Sequence, residues 1–153
     1  RGLWSAAALN ATAAAPMGKA SPTRSCEVLV RALVVDDSRA MRLILALVLR
    51  ERGCDVVEAG DGREALVVLA AGEVPDVVLV DWNMPVMNGL ELVEAVRRDP
   101  AYRGVRIVMV TTESESSQVV RALEAGADEY LFKPFTPDAV VDKLAMLGLL
   151  IGA

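Results

Sequence analysis

VVLVDWNMPVMNG, Val77 to Gly89, runs four consecutive apolar residues into an aspartate and then into a proline turn. A strand that is apolar on successive residues, rather than alternate ones, belongs in the middle of a parallel sheet covered on both faces. Such a strand should not end on a charge with an indole beside it unless the charge has a task. Taken alone, Asp81 reads equally as a solvated strand end, a turn former, a metal ligand or a nucleophile.

Working outward, the same pattern of short apolar run and amphipathic segment repeats. VLVRALVVDD (28–37) predicts a strand ending on Asp36 and Asp37. Ser38 caps a helix through RAMRLILALVLRER, which Gly53 stops. CDVVEA predicts a strand, and DGREALVVLAAG a helix with Asp61 near its start and Gly72 past its end. A helix from about Asn88 to Arg98 precedes the strand VRIVMV. Another, from about Ser114 to Ala125 and ended by Gly126, precedes the strand DEYLF. The last helix opens with Thr136 as cap and Pro137 in its first turn. Five βα units of this kind predict an α/β fold: a parallel sheet with helices on both faces and right-handed crossovers. Such folds gather their sites outside the carboxyl ends of the strands. In the first helix, Met41, Ile44, Leu45 and Val48 read as the core face. Leu43, Ala46 and Leu47 form a second apolar stripe, for which docking of a partner is the expectation and cover by the apolar tail or the leader the competitor.

Bulk properties narrow the chemistry. The 153 residues are 54% hydrophobic and 24% charged, with a net charge of −5, which suits one globular domain and gives no basic surface for nucleic acid. Histidine is absent, which removes Ser–His and Cys–His catalysis. Cys26 and Cys54 lack ligand spacing and point to a reduced, cytoplasmic setting. No apolar run approaches the ~18 residues of a membrane helix. Residues 1–27 read as a flexible Ala-rich leader with Met17 as an alternative start, 28–148 as the folded domain, and 149–153 as a short apolar tail.

The strand ends carry the chemistry: Asp36 and Asp37, Asp81, Thr111 with Thr112, and Lys133 before Pro134. The topology brings them into one crevice. Three carboxylates there repel one another unless a cation intervenes, and an all-oxygen set suits Mg²⁺. A carboxylate can itself accept a phosphoryl group, with Lys133 and Thr111 placed to contact its oxygens.

VVDDSRAMR, VDWNMPVMNG, MVTTES and YLFKPFT, in this order, resemble the four signatures of the response-regulator receiver domain, above all its single-domain chemotaxis (CheY-like) type. The resemblance covers residues 28–148 and implies a flavodoxin-like fold with strand order 2-1-3-4-5. It implies Asp81 as phosphoacceptor and Mg²⁺ held by Asp36, Asp37, Asp81 and the backbone carbonyl of Asn83. The resemblance further implies that Lys133, expected to be joined to Pro134 by a cis bond, contacts the phosphoryl group, and that Thr111 and Thr112 belong to the phosphoryl-binding switch. Tyr130 matches the family's aromatic switch, its plainer reading being a half-buried strand aromatic, and Trp82 is expected beside the metal site. By the same resemblance, Asn83 and Glu113 are expected to tune dephosphorylation. The implied partners are a sensor histidine kinase or histidine phosphotransfer protein and a downstream protein target. No direct nucleic-acid or membrane contact is implied, and the chain is expected as a monomer or a phosphorylation-dependent dimer. Two alternatives remain: a receiver cut from a longer regulator, and an aspartate-based phosphatase. The phosphatase needs a second aspartate where Asn83 stands.

Overall fold

The computed structural model describes residues 29–112 and 116–150; the leader with Cys26, Glu113 and the tail residues 151–153 lie outside them. Five parallel strands, β1 (Arg31–Val35), β2 (Asp55–Ala59), β3 (Val77–Asp81), β4 (Arg106–Thr111) and β5 (Glu129–Phe132), form one sheet in the order β2-β1-β3-β4-β5. Between and after them come α1 (Arg39–Glu51), α2 (Gly62–Ala71), α3 (Gly89–Arg98), α4 (Ser116–Ala125) and α5 (Pro137–Met146). This is the flavodoxin-like order, with its switch point between β1 and β3.

The strands sort their side chains by parity. Leu33, Val35, Val78, Val80, Ile107 and Met109 point to one side and meet α2, α3 and α4. Ala32, Val34, Val77, Leu79, Val108 and Val110 point to the other and meet α1 and α5. Every residue of β3 is buried, because it is central and covered twice.

The predicted caps hold the helix starts in place. Ser38 Oγ accepts from Met41 N at 3.2 Å, Asp61 Oδ1 from Glu64 N at 2.8 Å, and Thr136 Oγ1 from Ala139 N at 3.1 Å. Asn88 and Glu91 make a reciprocal capping box at the start of α3. The structure adds a short 3-10 turn at Pro100–Tyr102 that the periodicity does not reveal. β1 begins at Arg31 rather than at Val28; Val30 contributes its carbonyl to Asp55 N, and strand pairing starts at the next residue.

The phase of α1 differs from the sequence reading. Its buried residues are Leu45, Ala46, Val48 and Leu49, while Ile44 is exposed. Ala46 is fully buried and therefore does not belong to a surface stripe. The exposed apolar residues are Leu43, Ile44 and Leu47. Of the expected core face, Leu45 and Val48 are buried and Met41 packs against the core, and because apolar side chains run nearly all round the helix, Ala46 and Leu49 turn inward in place of Ile44. Leu149 and Leu150 pack against the α1/α5 layer, and the exposed trio stays open with them in place.

Candidate functional site

Each functional side chain sits where a strand ends. β1 delivers Asp36 and Asp37, β3 Asp81, β4 Thr111, and β5 Lys133. One carboxylate oxygen from each of Asp36, Asp37 and Asp81 lies within 4.8 Å of the others. Asp36 and Asp81 are buried and Asp37 is exposed, so the cluster opens to solvent on one side. Lys133 Nζ stands 3.1 Å from Asp81 Oδ1 and 3.3 Å from Asp36 Oδ2. Asp36 Oδ1 accepts from Ser38 N at 2.8 Å, so the cap of α1 also anchors this carboxylate.

Three carboxylates face one ammonium, and the imbalance shows in the proton affinities. Burial first, then the Asp36 carboxylate, push the Asp81 carboxyl above its usual range, against the opposing pull of Lys133. Burial works to lower the Lys133 ammonium, but its bonds to Asp81 and Asp36 outweigh that and raise it. A second, divalent cation would relieve the residual repulsion. The donor set fits Mg²⁺, which takes one or two carboxylates and keeps several waters.

Thr111 is buried, and its carbonyl accepts from Lys133 N at 2.9 Å, tying the ends of β4 and β5 together. Thr112 and Asn83 are exposed beside the cluster. The Lys133–Pro134 bond is cis. Trp82 turns away from the carboxylates into the α2/α3/α4 core, with the Arg121 guanidinium 6.0 Å from its ring. It therefore covers a core edge next to Asp81. The loop after Asp81 folds back tightly: Met87 N bonds Pro85 O at 2.7 Å around Val86 at φ 70, and Gly89 N bonds Trp82 O at 2.9 Å. A Cβ on Gly89 would collide with the Asp81 carbonyl oxygen, so glycine is required for α3 to start this close to Asp81.

Tyr130 is half-buried on β5, its ring 5.0 Å from that of Phe132 and 4.7 Å from Lys143 Nζ. Lys143 also pairs with Glu129 Oε1 at 3.0 Å. The sequence reading missed Lys143 and Arg42. Their spacing carries no motif, and only the packing of α5 on β5 and of α1 on β2 brings them to their partners.

Comparison with known proteins agrees with this geometry. The family model described as response regulator receiver domain matches residues 32–145. A chemotaxis protein CheY homolog of Campylobacter jejuni is 47% identical over 116 residues, covering 75% of this chain and 89% of the relative. Chemotaxis protein CheY1 of Helicobacter pylori is 44% identical over 119 residues, covering 77% and 96%. The structure of the chemotaxis response regulator CheY4 of Vibrio cholerae superposes with a TM-score of 0.75 at 37% identity, covering 78% of this chain and 99% of that one. Acidic strand ends gathered around one lysine, on this topology and in this register of motifs, place the chain in the response regulator receiver family, as a two-component phosphoacceptor of the CheY-like kind.

Proposed function

We propose that Asp81 takes a phosphoryl group from a phosphohistidine of a partner kinase or phosphotransfer protein, and that the modified chain acts on a protein target in chemotaxis-type signalling. The observation that carries this reading is the position of Asp81, between Lys133 on one side and the Asp36–Asp37 pair on the other. The donor histidine lies outside these 153 residues, which contain none. Asp81 Oδ2, the oxygen that does not pair with Lys133, attacks phosphorus in line. The P–N bond breaks, and its electron pair leaves with the donor imidazole. Asp36, Asp37, Asp81 and the Asn83 carbonyl would hold Mg²⁺, which when bound would neutralise charge on the transferring oxygens. Lys133 pairs with one phosphoryl oxygen, and the Thr111 hydroxyl moves to another. Water attack on the phosphoaspartate is tuned from Asn83 and Glu113.

The output follows from differential contacts. Moving an active population from ~1% to ~99% needs about 5.5 kcal/mol of preference. Charge-assisted bonds from Lys133 and Thr111 to the new dianion, in excess of those Lys133 already makes to Asp81 and Asp36, contribute to that preference. As Thr111 withdraws toward the phosphate, Tyr130 turns inward and changes the face made by α4, β5 and α5. The exposed trio Leu43, Ile44 and Leu47, flanked by Arg39 and Arg50, offers the phosphodonor its docking surface.

The test is intact-mass spectrometry after incubation with Mg²⁺ and acetyl phosphate. One added phosphate, labile to hydroxylamine and absent from Asp81→Asn, is expected. A wild-type chain that never gains mass under these conditions defeats the reading.

A further inference from the structure

Arg42 is a cation lodged in the buried stripe of α1, in line with Leu45, Ala46 and Leu49, and its side chain is only 19% exposed. Its guanidinium makes two bonds. Nη1 donates to the backbone carbonyl of Asp36 at 2.7 Å, and Nε donates to Glu58 Oε1 on β2 at 3.2 Å. Asp36 is thus held at four points: by Ser38 N and Lys133 on its two carboxylate oxygens, by its own N–H donating to Ala59 O at 3.1 Å, and by Arg42 on its carbonyl. That carbonyl belongs to the peptide joining Asp36 to Asp37. The Asp37 carboxylate is exposed, so its direction depends on how this peptide is held.

We propose that Arg42 is a positioning residue for divalent-cation binding: bridging the Asp36 carbonyl to Glu58, it fixes the peptide that aims both carboxylates at one ion. The proposal rests on the Mg²⁺ reading above and deepens it. Charge alone works in the opposite sense, because a guanidinium beside a cation site repels the ion. An arginine that favours cation binding from here must therefore act through the geometry it imposes, with its own charge offset by Glu58 at 3.2 Å. The planar fork suits the task, since it meets a carbonyl and a carboxylate at once, whereas an ammonium is a single point of charge. Groups that orient metal ligands without touching the metal are typically worth about 10- to 100-fold in affinity.

The opposing signs make the test decisive. In the full chain with Trp4→Phe, Mg²⁺ binding is titrated through Trp82 fluorescence, with no phosphodonor present and with urea unfolding midpoints measured alongside. Arg42→Leu and Arg42→Lys are each expected to weaken Mg²⁺ by about tenfold. If Arg42→Leu tightens binding while Arg42→Lys leaves it unchanged, Arg42 acts through charge alone and the proposal fails. If both variants bind Mg²⁺ as the parent does while the unfolding midpoint falls, the bridge is only structural and the proposal fails. Should Arg42→Leu not fold, Arg42→Lys alone decides, because it keeps the charge and loses the fork. A parent chain that does not bind Mg²⁺ at all overturns the metal-site reading itself, and this proposal with it.

Discussion

Asp81 is held at a cost that its own protonation reveals. Its carboxyl is pushed up mainly by burial and next by Asp36, so the folded chain binds this proton more tightly than the unfolded chain does. Stability from this source is present at low pH and is lost as pH rises through the raised folded value. Without Mg²⁺ at pH 7, Asp81→Asn is therefore expected to be more stable than the parent by about 1 kcal/mol, in the range of relieved functional-site strain. The gain should shrink as pH falls through the folded value and vanish below the ordinary carboxylate range near ~4. Urea midpoints from pH 7 to pH 3 check this, and a pH-independent difference would contradict it. Lys133 works the other way. Removing it in Lys133→Met leaves Asp36 and Asp81 facing each other without their shared cation. That variant should lose about 1–3 kcal/mol without Mg²⁺ and recover much of it on adding the ion, while parent stability responds less. Asp36, Asp37, Asp81, Thr111 and Lys133 were legible in the sequence, because each is a polar residue closing a run of apolar ones. Arg42 and Lys143 were not, since a charged residue within a helix reads as a solvated face until a partner is seen.

Among the elements, α1 shows where periodicity runs out. Eight of its thirteen residues are apolar (Ala40 apart), and a helix apolar on most sides does not declare which side is inward. The sheet decides the phase: Ala46, with no side chain beyond Cβ, allows α1 to lie against it, and Leu49 closes the layer beside Cys54. β3 and β4, by contrast, are legible directly, because β3 buries every position and β4 every position but Arg106, whatever the rotation. Two substitutions separate the two faces of α1. Leu43→Glu lies on the exposed side and should change stability by less than ~0.5 kcal/mol. It should slow phosphotransfer from the histidine donor while labelling by acetyl phosphate stays at the parent rate. Ala46→Leu forces a larger side chain into a filled layer and should cost about 1–3 kcal/mol, lowering the urea midpoint. Equal losses of both labelling reactions in Leu43→Glu would show that the exposed face is not where the donor docks.

Across the whole molecule, the site and the core meet through one sheet, and Cys54 makes that connection measurable. Cys54 precedes β2, at the amino ends of the strands, whereas the carboxylates lie at their carboxyl ends. Its thiol is buried against the α1/α5 layer and its N–H is bonded to Leu49 O at 3.1 Å. Burial, helped by the Asp76 carboxylate, pushes the thiol up to about 11, so in the folded state it is both covered and protonated. Alkylation then requires an opening that separates α1 from the sheet, and α1 also carries the Ser38 anchor and the Arg42 bridge of Asp36. An opening large enough to expose Cys54 is therefore expected to dismantle the acidic cluster, the proposed cation site, at the opposite end of the sheet. A ligand that binds only the closed state suppresses such openings by the factor 1 + [L]/Kd, roughly 100-fold at 100 times Kd. In a Cys26→Ser chain at pH 8, Mg²⁺ at that excess should slow iodoacetamide labelling of Cys54 by about this factor, provided opening and closing are fast relative to alkylation. The same Mg²⁺ should have no such effect in a chain carrying Asp36→Ala and Asp37→Ala as well. Labelling that is fast and indifferent to Mg²⁺ in the first chain would mean that the α1 end of the layer opens independently of the site, and the coupling of the two ends through a single cooperative sheet would have to be abandoned.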